Sequence, residues 1–382
     1  MNATIPPRVQ NKPNARDDER RARRLDRLIA TWPAMDRELW IASCAPADPF
    51  DAPGYGSTFR LASRHKIARG YTYWLDFLRG TKRLDEAMPP EARISHARSA
   101  AWFRALKARG NAPYTIVSRF AELSMAIKVM APHADRSCIL QPYGASVRCR
   151  LTMTKRELDV PDVRILYAEG FRLMDTADLS RMDVDIRQAL QFRDGFLFAF
   201  LASRGRRLGT VVQTMTATNV ERHDERYHVT YWPDQLKTGY LGRADRVPMP
   251  KRLTPYIDMY LRKVRPRLLR DHDGGAFWIG RLGNPLGEEG IRKIVVTRSR
   301  ALLGNPIRPH RFRHAIGSTA PLVNRSLPGL ARAVIDISED VMTEHYNRAN
   351  GVVATEIFHQ YLLDATQAAE NRERLRKIKP PG

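Results

Sequence analysis

Apolar residues recur at helical spacing through most of the chain and switch to strict alternation over one short stretch. From Phe59 onward, Ile67, Tyr71, Trp74, Leu75 and Leu78 fall on one face of a helix. A second helix is expected over about 97–109, with Gly110 placed to end it. A third, capped by Thr115, buries Ile116, Phe120, Leu123, Ile127 and Met130. Residues 135–159 show no clear period and contain the linker; a helix over 160–174 follows. The helix expected over 186–203 is almost wholly apolar in its second half (Phe196, Leu197, Phe198, Phe200, Leu201), which places it at the centre of a second domain. Then the period changes. Tyr227, Val229 and Tyr231 alternate with His228, Thr230 and Trp232, and Lys237-Thr238-Gly239 and Arg246-Val247-Pro248 follow, as in a short antiparallel meander. Helices return over about 254–269 and 288–303 and continue to a basic tail at 371–379.

The pattern divides the chain into a basic N-terminal arm (1–38), a helical domain (39–150), a linker with a helix (151–179), a second domain (180–365) and a basic tail (366–382). The strongly charged stretch 17–27 reads as a solvated arm or frayed helix. The fold class expected is mainly α with a small antiparallel β-sheet. At 382 residues the chain exceeds what one ordinary core supports.

Composition narrows the partners. The chain is 43% hydrophobic and 27% charged, as in globular rather than disordered proteins. Its 64 Lys and Arg exceed its 41 Asp and Glu, giving a net charge of +23. That excess favours a polyanion, whether DNA, RNA or an anionic membrane. No apolar run is long enough to span a bilayer; no membrane partner is expected. The first residues lack the apolar segment of a secretory signal. Cys44, Cys138 and Cys149 are too widely spaced for a disulfide framework or a zinc motif. A reducing cytoplasm and no cofactor or structural metal are therefore expected.

Four segments carry parts for one chemistry, cleavage of a phosphodiester without metal. A nucleophile must attack phosphorus, fixed cations must hold the non-bridging oxygens, and the leaving 5′-oxygen needs a proton. Arginine suits the oxygens through its charged planar fork. Lysine suits the leaving group as a general acid, and tyrosine can be a nucleophile that conserves the bond energy in a covalent intermediate. In chain order these parts are Arg204-Gly205-Arg206-Arg207, Leu236-Lys237-Thr238-Gly239, Pro309-His310-Arg311-Phe312-Arg313-His314, and Thr343-Glu344-His345-Tyr346. Taken singly each has an ordinary reading: a surface arginine, a hairpin tip, a polar helix face, a half-buried tyrosine. Tyr361 is a rival nucleophile, but it sits among Phe358, Leu362 and Leu363 and reads as packing. What favours the sharper reading is four independent pieces in one order.

Gly205-Arg206-Arg207 after a helix, Lys237-Thr238-Gly239 after a strand, His310 to His314 and Thr343 to Tyr346 together resemble the tyrosine recombinase / phage integrase family. Ala276-Phe277-Trp278 and Gly283-Asn284-Pro285-Leu286 resemble that family's stretch before its His box, and the likeness covers about residues 180–365. The resemblance implies a helical core-binding domain joined to a mixed α/β catalytic domain. It implies that Arg207 and Arg313 clamp the scissile phosphate and that Lys237 protonates the leaving 5′-oxygen. His310 then moves a proton or holds the phosphate, and Tyr346 forms a 3′-phosphotyrosine. Double-stranded DNA is the implied partner. The working assembly would be a homo-tetramer on paired sites, with a DNA-bending or directionality factor as a further partner. The implied activity is site-specific recombination, integrating or excising a mobile element. Alternatives are a type IB topoisomerase or telomere resolvase using the same groups, and a DNA-binding accessory protein that does not cleave. An RNA-binding role finds no stacking motif to support it. Two departures stand out. Ile337 lies nine residues before Tyr346, where the family has His or Trp, and Thr210 stands where the family often has an acidic residue.

Overall fold

The computed structural model describes residues 15–46, 53–153, 160–237, 242–269, 273–323 and 334–335. Contacts divide the chain into two compact units, Ala15–Leu158 and a second built from Asp159–Gly382.

The first unit is helical: α1 (Ala15–Ile29), α2 (Ala34–Cys44), α3 (Leu61–Gly80), α4 (His96–Ala108), α5 (Pro113–Met130) and the single turn α6 (Ser137–Leu140). The periodic positions named above on α3 and α5 are all buried. Two local details differ from expectation. Helix α5 starts at Pro113, whose fixed φ suits a first helical position, and Ala112 rather than Thr115 precedes it. The charged stretch read as a solvated arm or frayed helix is the packed helix α1, because Leu25 and Ile29 on one side of it join Trp32 and Trp40 in the core. Trp32 seals this end by donating from Nε1 to Thr72 Oγ1 at 2.9 Å. Where α3 meets α5, Gly70 has no room for a side chain: a Cβ there would lie 2.3 Å from that of the buried Glu122.

The second unit wraps around α8 (Ile186–Arg204), buried without interruption from Phe192 to Ala202. Asp185 starts it by accepting the Arg187 and Gln188 amides, and Gly205 ends it in the left-handed conformation (φ +53°). Helix α7 (Val163–Asp175), expected in the linker region, packs along α8 and so belongs to this unit. The crossing is closed by two facing glycines. A Cβ on Gly195 would sit 2.6 Å from the Gly170 carbonyl oxygen and 2.7 Å from Leu173 Cβ. Gly195→Ala is therefore expected to lower stability by about 1–3 kcal/mol through overpacking, partly offset by alanine's better helix propensity. A urea midpoint at or above that of the parent chain would contradict this.

Short helices α9 (Leu208–Val211) and α10 (Thr216–Asn219) lead from Gly205 to the sheet. Among the described residues the sheet has three antiparallel strands in the order β1 (Val220–His223), β2 (Arg226–Tyr231), β3 (Asp245–Pro248). Alternation along β2 sends Tyr227, Val229 and Tyr231 into the core. Helix α11 (Thr254–Met259) passes through one π-helical turn, Tyr260–Val264, into α12 (Arg265–Leu268). The buried segment from Ala276 to Ile279 follows, then α13 (Glu288–Leu303) and α14 (His310–Val323). Helix α14 is held against α8 by Phe312, whose ring meets Phe198 edge-on at 5.3 Å. Among the described residues no helix is long and apolar enough to cross a membrane.

Candidate active site

The site is built where α8 ends. Gly205 turns the chain sharply, and a Cβ there would lie 2.6 Å from Ile316 Cδ1 and 3.1 Å from Ile335 Cγ2. Helix α14 therefore approaches the turn as closely as a bare backbone permits. The buried Arg313 of α14 donates from Nη1 to the Gly205 carbonyl at 2.6 Å. Two residues on, half-buried Arg207 caps α9, its carbonyl accepting the Thr210 and Val211 amides. The segments that carry the two candidate arginines are thus bonded to each other.

Arg206, between Gly205 and Arg207, takes a different part. It is buried and ion-paired to Asp245 at the start of β3, and Arg204 reaches the other oxygen of the same carboxylate at 3.0 Å. Of the three arginines in this run, Arg207 is the one that these Asp245 contacts leave out. Arg204 also donates from Nη1 to the Val334 carbonyl at 3.4 Å, and Ile335 is fully buried. The chain is therefore anchored beside the Gly205 turn shortly before Tyr346.

Lys237 is exposed, just beyond the turn Pro233–Gln235 that follows β2. Two residues before it, the Gln235 side chain is fixed on all sides. Its Nε2 donates to Gln213 O at 2.9 Å and Asn219 Oδ1 at 3.2 Å; its Oε1 accepts from Asn219 Nδ2 at 2.8 Å and Trp232 N at 3.0 Å. The Gln235 carbonyl accepts a hydrogen bond from Thr210 Oγ1 at 3.1 Å. Thr210, a departure from the family pattern, thus ties the Arg207 turn to the lysine segment. Under it, β2 ends in fully buried Tyr231, 3.3 Å from Thr214 Oγ1. Burial pushes the Tyr231 phenol up to about 12 against the pull of Thr214, Arg206 and Arg204; with no exposed surface it has no access to a substrate.

His310 opens α14 and is exposed, its ring edge-on to that of buried His314 at 5.0 Å. Tyr346, Ile337, Thr343, His345 and Tyr361 lie outside the described residues. Of the five candidate groups, then, Arg207, Lys237, His310 and Arg313 sit on three segments joined by direct hydrogen bonds. Sequence reading missed Asp245, Gln235 and Asn219, because each acts through partners distant in the chain. Among the described residues no group of His, Cys, Asp or Glu is arranged to hold a metal ion.

No family model matches the chain. Individual relatives do. The tyrosine recombinase XerD of Staphylococcus haemolyticus is 23% identical over 209 residues, 54% of this chain and 64% of that protein. Over that stretch the chain is similar to a tyrosine recombinase. XerD of Staphylococcus epidermidis is 25% identical over 166 residues, 43% of this chain and 50% of the relative. The chain thus spans between half and two thirds of the length of these relatives. The recombinase fold agrees. A crystal structure of the XerH site-specific recombinase bound to palindromic difH substrate, a post-cleavage complex, superposes with a TM-score of 0.54 at 11% identity, covering 94% of this chain and 100% of that one. The XerH pre-cleavage complex with difH gives 0.53 at 12% identity, over 87% and 97%.

Proposed function

We propose that this chain is a tyrosine recombinase, a site-specific enzyme that cuts and rejoins duplex DNA. In this reading the Tyr346 phenol oxygen attacks phosphorus, a phosphorus–oxygen bond forms, and the bond to the 5′-oxygen breaks. Arg207 and Arg313 hold the non-bridging oxygens as their charge grows. Lys237 gives its proton to the leaving 5′-oxygen, and His310 takes part in proton transfer or holds the phosphate. The product is a 3′-phosphotyrosine, and attack by another strand's 5′-hydroxyl reverses the step. Two cleaved duplexes must be exchanged, so the working assembly is a tetramer on paired sites. Integration or excision of a mobile element is the use proposed.

The observation that carries this reading is the Arg313 hydrogen bond to Gly205, which joins the second arginine's helix to the turn bearing the first. The sequence relatives named as tyrosine recombinases support it, as does the fold shared with a DNA-bound recombinase. The net charge of +23 suits a duplex partner.

The test starts from a site selected out of a randomised duplex pool by binding to the full chain. A nicked duplex carrying that site loses a short fragment on cleavage and traps the covalent complex. The parent chain should accumulate a protein–DNA adduct, and Tyr346→Phe should bind the same DNA with unchanged affinity and form none. Adducts that persist in Tyr346→Phe would remove Tyr346 as nucleophile. No adduct from the parent chain on any selected site would favour a non-cleaving DNA-binding role.

A further inference from the structure

We propose that Asp245, together with the Thr210–Gln235 contact, is a positioning residue for Lys237. The inference rests on the reading of Lys237 as the general acid. Lys237 lies on the connection between β2 and β3, and that connection is anchored on both sides. Before it, Gln235 is held by Asn219, Gln213 and Trp232, and its carbonyl receives the Thr210 hydroxyl. After it, the Asp245 carboxylate sits between Arg204 and buried Arg206. Both anchors end on the same short segment, which runs from Arg204 to Thr210 and carries Arg207 at its centre. The lysine's connection is therefore fastened, at two points, to the segment that carries the first arginine, through the side chains of Arg204, Arg206 and Thr210.

The arrangement makes a specific demand on Asp245. Its register partner across the sheet is Tyr231, so its backbone is already fixed by β3 pairing with β2. The side chain adds a link that the sheet cannot, from the strand to the end of α8. An exposed lysine on a long side chain has many rotamers, and its effectiveness as an acid depends on where its base is held. A neutral side chain at position 245 keeps the size but loses the attraction to both guanidiniums, and frees the hairpin to shift relative to Arg207.

The step at stake is proton delivery to the leaving 5′-oxygen, and this gives a readout that a merely structural role would not move. A thiolate leaves without protonation. On selected-site DNA with sulfur replacing the bridging 5′-oxygen at the scissile phosphate, cleavage no longer needs the acid. Asp245→Asn should slow adduct formation on ordinary DNA by on the order of a hundredfold at saturating protein, with DNA affinity unchanged. On the sulfur substrate its rate should return close to that of the parent chain. Asp245→Glu, which keeps the charge, should recover most of the loss on ordinary DNA. Combining Asp245→Asn with Lys237→Ala should be no slower than Lys237→Ala alone.

Equal slowing of Asp245→Asn on both substrates, or no slowing at all, would overturn the inference. Rescue of Lys237→Ala by sulfur without rescue of Asp245→Asn would sink the role of Asp245 and leave the general acid intact. No sulfur rescue of Lys237→Ala would instead sink the acid assignment and this inference with it. If Asp245→Asn does not fold, Thr210→Val cuts the other anchor, and the same two substrates decide by the same criterion.

Discussion

Arg313→Met should lower the single-turnover rate of covalent adduct formation by about 10²–10³-fold, the scale expected for losing one fixed donor to a developing oxyanion. It should also cost about 1–3 kcal/mol of stability, because the Gly205 carbonyl loses its buried guanidinium donor. The two effects have separate origins. Arginine has five N–H donors in a planar fork, so one nitrogen can hold a carbonyl while the rest of the fork remains directed elsewhere. Nη1 is committed to Gly205, which fixes the plane of the guanidinium before any DNA arrives. Preorganisation of this kind distinguishes a catalytic cation from a surface one, since no side-chain entropy is lost at the moment of reaction. Arg313→Lys separates the contributions. A lysine amine can reach the carbonyl or a phosphate oxygen, but it lacks the fork to satisfy both. It should regain part of the stability and little of the rate. Urea denaturation and a rapid-quench adduct assay on the same preparations would measure both. If Arg313→Met cleaved within tenfold of the parent chain, Arg313 would be only a strut beneath Gly205, and the phosphate clamp would need another residue.

How much of this was legible beforehand follows from the range of each interaction. The faces of α3 and α5, the buried run of α8 and the alternation of β2 are local periodicities, and each appears where the sequence places it. Helix α1 was obscured because its charged positions outnumber its anchors, and the partners of Leu25 and Ile29 lie on other helices. Helix α7 could be given to either unit from sequence, because the reason it packs on α8, Gly170 facing Gly195, is a match between residues far apart in the chain. The family motif pointed to Arg207, Lys237, His310, Arg313 and Tyr346. It left unexplained how the described ones are held, since Asp245, Gln235 and Asn219 resemble any other polar loop residues. Thr210 is the clearest case. In the sequence it is a missing acid; in the fold its hydroxyl reaches the Gln235 carbonyl.

The largest stability loss is expected far from the chemistry, in the helical unit. Asp36 on α2 and Arg93, which precedes α4, form an ion pair at 2.5 Å with neither side chain exposed. Tyr71 on α3 donates its hydroxyl to the same carboxylate oxygen at 2.7 Å. Arg93 also donates to the carbonyls of Asp85 and Glu86 at 2.8 and 3.3 Å. One guanidinium thus ties α2 to α3 and pins the loop before α4. Burial, reinforced by the adjacent Asp36 charge and hydrogen bond, holds the Tyr71 phenol well above its ordinary range and keeps it a donor. Arg93→Met fills a similar volume but strands an uncompensated carboxylate, and should lower stability by about 3–5 kcal/mol. The combined replacement Asp36→Leu, Tyr71→Phe and Arg93→Met removes all the buried polar partners together. It should be far less damaging than Arg93→Met alone, because charge pairs in apolar surroundings return little beyond their own desolvation. Urea denaturation followed by tryptophan fluorescence includes a strong signal from this unit, since Trp32 and Trp40 pack edge-on at 5.4 Å and Trp32 lies 4.8 Å from the Tyr71 ring. An Arg93→Met chain as stable as the parent would overturn this reading of the buried pair.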